Sequence, residues 1–516
     1  MRLLRLLTTV TRLPAWFRSA LTDPASADVA VLWSLTLYVI VWTAYGTISK
    51  GGQGLHPDMT EIVAWSRDLA LGYLKHPPLA AWIARGWFDL FPLTEWSYYL
   101  LAMLMPGVTL WIVWRLSADY LDIEKRVIGL ALLTLIPFFN FQALKFNVNT
   151  VLMPLWAATT WWFLRSVRMR SALYAALAGA AAGGAMLGKY WSVFLLLGLG
   201  IAALIDKRRA AYFRSPAPWI TIAVGLVVMA PHLYWLVENH FAPFSYAIGI
   251  HGEKPFGGTL LSVAGYLGGS VAYVAVPLII VLVMARPGRT TLADIAWPSD
   301  TERRLVAASF WLPFLLPALG AVIGKTEITS LWSMPCWTLL GVLLLSPQAV
   351  TVRAIDTQRI AMAAAVLPFL MLAASPGIAY LIQRNVQPPI SAQFPLLAQQ
   401  VETLWHQTTP APLRFVGGSA DLAYGVVTYA PDKPHALTDM PAPSAAELAQ
   451  SGAVYVCSSE DKGCQSEAQK HAASVPGSQT IASDITRAVR GRLGKPQRYI
   501  IVVVPPPMVM IAPPPR

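Results

Sequence analysis

Cysteine is nearly absent, at three in 516 residues, and that scarcity excludes a disulfide scaffold and a cysteine-rich metal protein. Charge is scarce too. Only 13% of residues are Asp, Glu, Lys or Arg against 55% hydrophobic ones, and the mean hydropathy is +0.51. These values exclude soluble, disordered and fibrous chains and leave a polytopic membrane protein. Of the two signs, the acidic one is scarcer, with 27 Asp and Glu against 39 Lys and Arg, a net charge of +12. In a soluble chain that excess suggests nucleic acid. In a membrane chain it is first set against topology, because cytoplasmic loops collect Lys and Arg. Repeats with a period of roughly 20–50 residues are lacking, which excludes solenoids, and no inverted repeat of the transporter kind is apparent.

What is present is a series of apolar stretches of near bilayer length. They lie at about 30–45, 98–116, 127–139, 151–164, 172–188, 191–205, 217–235, 264–285, 305–323, 331–347 and 360–380. The first follows an arginine-bearing start without a small-residue cleavage site, so it reads as a retained span, not a signal peptide. Eleven spans result. The break at Gly188-Lys189-Tyr190 leaves open a hairpin or one kinked helix. Alternate loops on the N-terminal side hold 19 Lys and Arg, the opposite loops 8. The N-terminus is therefore expected in the cytoplasm and everything after about residue 381 on the outer side. The basic excess becomes topology, with no nucleic-acid partner.

After Gln383 the pattern changes. LRFVGG, AVYVCSS and RYIIVVV read as short strands, and DLAYGVV, SAAELAQ and SEAQKHAA as helices. A small α/β domain over 383–505 is expected, followed by a Pro-rich, disordered 506–516 tail. Cys457 and Cys464 fall in it and either pair, on an oxidising side, or stay as thiols. No site-like cluster of titratable residues is apparent in this domain, so it is expected to be dispensable for bond making.

Chemistry is sought where polar residues crowd a loop or the end of a span. The outer loop at 48–97 is the longest and carries Asp58, Glu61, Arg67, Asp68, Lys75 and His76. Asp58 and Glu61 are three apart at the start of a helix-like stretch and share a face. One reading makes Asp58 the helix cap with Glu61 closing a capping box. The other makes Asp58 a general base or a ligand for a divalent cation. Lys75 and His76 precede Pro77 and Pro78, whose fixed backbone holds them in place. They suit a phosphate, or are solvated loop residues. On the same side lie Asn147 and Asn149, Lys189 and Tyr190, and His232 and His240. Lys189, between two apolar runs, either snorkels or meets an anionic group. The two histidines read as structural or as ligands.

DMTE, LGYLKHPPLAAW, FNVNTVLMPLW and GKY together resemble the bacterial polyprenyl-phosphate-sugar glycosyltransferases of the GT-C fold. More narrowly they resemble the protein-mannosyltransferase-like superfamily that includes the lipid A aminoarabinose transferase (glycosyltransferase families 39 and 83), over roughly residues 30–350. The resemblance implies an all-α polytopic membrane protein with about eleven transmembrane helices in a catalytic region 1–382, and a small C-terminal periplasmic α/β domain. It implies an inverting transfer of a sugar from a polyprenyl-phosphate carrier to a lipid or glycan acceptor at the periplasmic face of the inner membrane, by a monomer. Asp58 and Glu61 would be catalytic. Lys75, His76, Lys189 and Tyr190 would bind the donor phosphate, and Asn147, Asn149, His232 and His240 the substrate. A divalent metal is the one cofactor to consider. The sequence departs from the family in lacking the acidic member before the two prolines, and in having Asn147 and Asn149 where many members carry an aspartate. A lipid-linked sugar flippase or transporter is the alternative; it would scatter charge at mid-bilayer depth, whereas here ionisable residues sit at outer ends.

Overall fold

The computed structural model describes residues 15–252, 254–384, 389–438, 442–489 and 492–507. Most of the 506–516 tail lies outside them. The chain divides into two compact units that do not follow chain order. One comprises 1–46, 75–79 and 96–374, the other 47–74, 80–95 and 375–516.

The first unit is helical. Helix α1 spans Ala27–Ser49, α2 Pro57–Arg67, α3 Leu79–Leu90, α4 Glu95–Ser117, α5 Ile123–Thr134, α6 Val148–Met169, α7 Ala172–Gly188 and α8 Val193–Ile205. Of these, α2 and α3 belong to the second unit. Beyond α8 come α9 (Arg209–Phe213), α10 (Ala217–Glu238), α11 (Ala242–His251), α12 (Phe256–Tyr273), α13 (Ala275–Ala285), α14 (Arg289–Ala296), α15 (Thr301–Gly324), α16 (Leu340–Leu345) and α17 (Ala354–Gln383). Every expected apolar stretch carries helix. Among the described residues, five helices are long and apolar enough to cross a bilayer alone, α1, α4, α10, α15 and α17. The pair α12 and α13 makes a sixth if its 55° bend lies within one span. That bend has a local cause, since Pro277 has no N–H to offer and its ring crowds the carbonyl of Tyr273 four residues back.

The break at Lys189 separates two helices with different neighbours. α7 packs on α6 and α10, while α8 packs on α15. Residues Ser330–Leu339 wind as a 3-10 helix before α16, tighter than the α-helix expected over 331–347, and Pro335 within them removes one α-type bond. Ion pairs and an indole hydrogen bond tie the expected cytoplasmic ends together. Trp114 Nε1 and Arg115 donate to Asp28 at 2.7 and 2.9 Å, Arg165 to Asp119 at 2.8 Å, and Arg303 to Asp294 at 2.7 Å. The basic loops are thus fastened to helix ends as well as biased in sign.

The second unit is built on a five-stranded sheet of order β2-β1-β3-β7-β4. Its strands are β1 (Phe415–Gly418), β2 (His435–Ala436), β3 (Ala453–Ser458), β4 (Gln479–Ile485) and β7 (Gln497–Val504); β5 (Ala488–Val489) and β6 (Arg492–Leu493) form a separate ribbon. β1 is parallel to β2 and β3, and β7 is antiparallel to β3 and β4. Ile501 and Val503 face one core, Val502 and Val504 the other, which is why RYIIVVV is apolar without alternation. Helices α18 (Phe394–Thr408), α19 (Ala420–Tyr429), α20 (Ala445–Ser451) and α21 (Lys462–Ala473) complete the unit. Cys457 and Cys464 are joined as a disulfide between β3 and α21. α18 and β4 are absent from the sequence reading, although Phe394, Leu397, Ala398, Val401 and Trp405 recur at helical spacing and are all buried.

Helix α2, in the long loop at 48–97, is part of this unit. It packs on α19, and Ala64 joins the core formed by α18, α19 and the sheet. Its approach is pinned by Leu55 N–H donating to Tyr429 Oη at 2.8 Å and Ser391 Oγ donating to Gln53 O at 2.9 Å. Gly54, at φ +67, is required there: a Cβ would fall 2.1 Å from the carbonyl oxygen of Ser391.

Candidate functional site

The candidate residues divide between the units. Asp58 and Glu61 lie in the second; Lys75, His76, Asn147, Asn149, Lys189, Tyr190, His232 and His240 lie in the first.

In the first unit the start of α6 and the end of α7 are brought together. Asn147 is the N-cap of α6. Its Oδ1 accepts from the N–H groups of Asn149 and Thr150 at 3.0 and 3.2 Å, and Thr150 Oγ1 accepts from Asn147 N–H at 2.9 Å, which closes a capping box. That fixes Asn149 in the first turn. Gly188 ends α7, where a Cβ would press on Leu152 of α6 at 3.0 Å. Lys189 follows in extended backbone, φ −164 and ψ 138, which throws its side chain out of the helix line. Its ammonium donates to Asn149 Oδ1 at 2.9 Å and lies 4.6 Å from the Trp332 ring centroid and 6.0 Å from that of Trp191. Each ring face attracts a cation by about 0.5–2 kcal/mol. The ammonium is therefore held by protein groups, where snorkelling alone would lead it outward to water.

Beside it, Tyr190 Oη and His232 Nε2 are 2.9 Å apart. His232 is fully buried, with its ring 5.7 Å from Tyr190 and 5.8 Å from Trp235, and Phe244 lies 5.0 Å from Tyr190 on another side. His232 orients Tyr190. His240 is exposed about two helical turns further on, beyond the end of α10, with left-handed backbone at φ 51. Lys75 and His76 are half-buried, and the prolines after them buried, in the five-residue segment of the first loop that clusters with the helical unit.

In the second unit the capping expectation for Asp58 is corrected. His56 is the N-cap of α2, Pro57 the first helical residue and Asp58 the second. The signal was in the sequence, since proline favours the first helical position and so places the cap just before it. His56 Nδ1 accepts the Asp58 N–H at 3.1 Å. The same nitrogen is 3.5 Å from Asp58 Oδ1, but a nitrogen that accepts cannot also donate, so the shorter contact sets the arrangement. The Asp58 carboxylate is thus not spent on capping. Glu61 sits within α2, 8% exposed. Where α2 ends, Asp68 meets His435 Nδ1 at 2.8 Å, and Arg67 donates to Pro434 O at 2.7 Å. The hydrogen bond to Asp68 raises the His435 pKa above its ordinary 6.5. His435, His56, Trp191, Trp332 and Phe244 are absent from the sequence reading. Apart from the His56-Pro57 step and the Trp191 contact with Lys189 two residues earlier, only chain folding brings them to their partners.

Residues 75–235 match the dolichyl-phosphate-mannose-protein mannosyltransferase family. The match includes every first-unit candidate except His240, leaves out Asp58 and Glu61, and is narrower than the expected 30–350. The chain is 26% identical over 222 residues to the lipopolysaccharide core galacturonosyltransferase RgtB of Rhizobium johnstonii, covering 42% of this chain and 44% of that protein. It is 26% identical over 189 residues to the lipid A galacturonosyltransferase RgtD of the same organism, covering 35% and 38%. The alignments thus span less than half the length of these relatives. The fold matches ArnT from Cupriavidus metallidurans bound to undecaprenyl phosphate at a TM-score of 0.58, with 13% identity, covering 95% of this chain and 100% of that one. The protein is a mostly helical, multi-pass membrane protein with the fold of ArnT, and in sequence and fold it is similar to the GT-C glycosyltransferases of the protein-mannosyltransferase-like superfamily.

Proposed function

We infer that the protein is an inverting glycosyltransferase moving a sugar from a polyprenyl-phosphate carrier to lipid A, another glycolipid or a cell-envelope glycan at the periplasmic face of a bacterial inner membrane, acting as a monomer. The observation that carries this reading is the Lys189–Asn149 pair at the start of α6. A helix N-terminus bears about half a positive charge. An ammonium drawn to the same place is suited to an anion, and a departing phosphate supplies one. Donors fixed in advance stabilise charge that develops as the bond between the anomeric carbon and the phosphate oxygen breaks. Lys75 and His76 are assigned to the same phosphate, and Tyr190, oriented by His232, to the donor beside it.

The acceptor oxygen attacks the anomeric carbon from the face opposite the phosphate. A hydroxyl acceptor must lose a proton, and Asp58, with Glu61 one turn on, is assigned to remove it or to position the acceptor. The bound undecaprenyl phosphate in the ArnT structure supports a polyprenyl-phosphate donor. The names of RgtB and RgtD support a lipopolysaccharide acceptor and make a hexuronic acid the first sugar to try.

The test is transfer in liposomes from a polyprenyl-phosphate sugar to purified lipid A or lipopolysaccharide core, read as the added sugar mass. A product whose formation falls in Lys189→Met supports the reading. Movement of labelled donor across the bilayer with no product for any sugar would replace it with the flippase alternative.

A further inference from the structure

Three side chains of the second unit, none of them assigned to transfer, converge. Glu402 and His406 are four apart on α18 and so share a face, and Asp432 comes from the turn after α19. His406 Nε2 lies 3.2 Å from Glu402 Oε2 and 3.1 Å from Asp432 Oδ2. One ligand atom from each of the three lies within 4.8 Å of the other two. Backbone groups set the carboxylates in place: Asp432 N–H donates to Glu402 Oε1 at 2.9 Å, and Leu413 N–H to Asp432 Oδ2 at 2.6 Å. The Glu402 side chain is only 9% exposed, that of Asp432 21% and that of His406 42%.

Two carboxylates directed at one imidazole nitrogen make an incomplete set. That nitrogen carries at most one proton and so makes one good hydrogen bond, and even a protonated ring balances one of the two negative charges. A divalent cation balances both. Around zinc, with bonds of about 2.0–2.2 Å to nitrogen and oxygen, tetrahedral ligands sit roughly 3.3–3.5 Å apart. The observed 3.1 and 3.2 Å separations are within a few tenths of an ångström of those edges. One imidazole with two carboxylates favours a borderline cation over calcium or magnesium, which take oxygen ligands. The partly exposed His406 edge leaves the fourth position to water.

We propose that Glu402, His406 and Asp432 form a three-ligand site for a divalent cation of the zinc class, joining α18 to the turn after α19 and, through Leu413, to the approach to β1. The site is distinct from the transfer reaction and does not depend on it.

The experiment uses the full chain in detergent, its purification tag removed, stripped with chelator and titrated with Zn2+, Mn2+ or Ca2+ while heat uptake and Tm are followed. Saturable one-to-one Zn2+ binding that raises Tm is expected, weaker for Mn2+ and absent for Ca2+. His406→Ala and Glu402→Gln should each weaken Zn2+ binding by at least about 10-fold, the lower end of what even supporting groups around a metal contribute. His471→Ala, an exposed histidine stacked on Tyr455, should leave it unchanged. Co2+ provides a readout independent of stability, a visible absorption band present in the native protein and lost in Asp432→Asn. Zn2+ binding that survives His406→Ala, or no saturable response in the native chain, would overturn the proposal and leave the cluster as an ion-pair network.

Discussion

His56 Nδ1 accepts the backbone N–H of Asp58 at 3.1 Å, so the histidine, not the aspartate, starts α2. This removes capping as the explanation for a carboxylate at that position. Asp58→Asn leaves the His56 cap in place and gives up a helix-dipole interaction of about 0.3–1 kcal/mol, and it should lower transfer by about 10²–10⁴-fold if the carboxylate removes a proton. His56→Ala should do the reverse and lower stability by about 0.5–2 kcal/mol. Transfer rate and Tm measured on both variants separate the roles, and near-normal turnover in Asp58→Asn would remove that residue from the reaction.

Lys189→Met keeps most of the apolar stem between the tryptophans and deletes the charge. Donor binding should weaken by about 1.5–3 kcal/mol, the range for hydrogen bonds to charged groups, which is roughly 10–150-fold in KM. The acceptor KM should move little. An unchanged donor KM would make the Asn149 contact purely structural.

Truncation near residue 382 tests the expectation that the tail is dispensable. That expectation rests on the absence of catalytic groups there, and the packing of α2 argues against it. Removing α18, α19 and the sheet exposes the buried face of α2, whose residues 59–66 are all buried, and frees the helix that carries Asp58. The truncated chain is expected to insert yet lose transfer. Full activity at matched protein level would return the tail to an accessory role.

The Asp68–His435 contact predicts a pH dependence. The folded pKa of His435 is raised, first by the hydrogen bond to Asp68, with Glu447 adding to the rise and burial and Arg67 opposing it. A raised folded value means the stabilisation is complete below the ordinary 6.5 and is lost as pH rises through the folded value. Tm of the native protein should therefore fall over that window more than Tm of His435→Gln. With His435 43% exposed, the difference is a small one that salt reduces. Equal slopes for the two proteins would show that the pair is silent.

Legibility followed the range of the physics. Continuous apolar runs of near bilayer length announce helices because only a helix satisfies its backbone within one such segment, barrel strands being shorter and alternating, and each expected stretch from 30–45 to 360–380 carries helix. Residue type and position marked Asp58, Lys75, Asn149 and Lys189 as candidates, since a polar residue beside an apolar run must be held by something. Local stereochemistry was written as well. The His56-Pro57 step announced the start of α2, and the buried positions from Phe394 to Trp405 announced α18, though neither was read that way.

Pairing is what the chain alone left open. Nothing local to Lys189 says that its ammonium meets Asn149 and the Trp332 ring, or that Tyr190 is set by His232. Nor does α2 show in its own residues that Ala64 completes a core of α18, α19 and the sheet, because a buried face of a helix specifies apolar area and not its partner. The sequence by itself determined which segments are helix or strand, through backbone satisfaction and hydrophobic periodicity. Tertiary structure alone decided which of those residues meet, because contacts between distant segments are fixed by shape and by the geometry of hydrogen bonds, neither of which has a period along the chain.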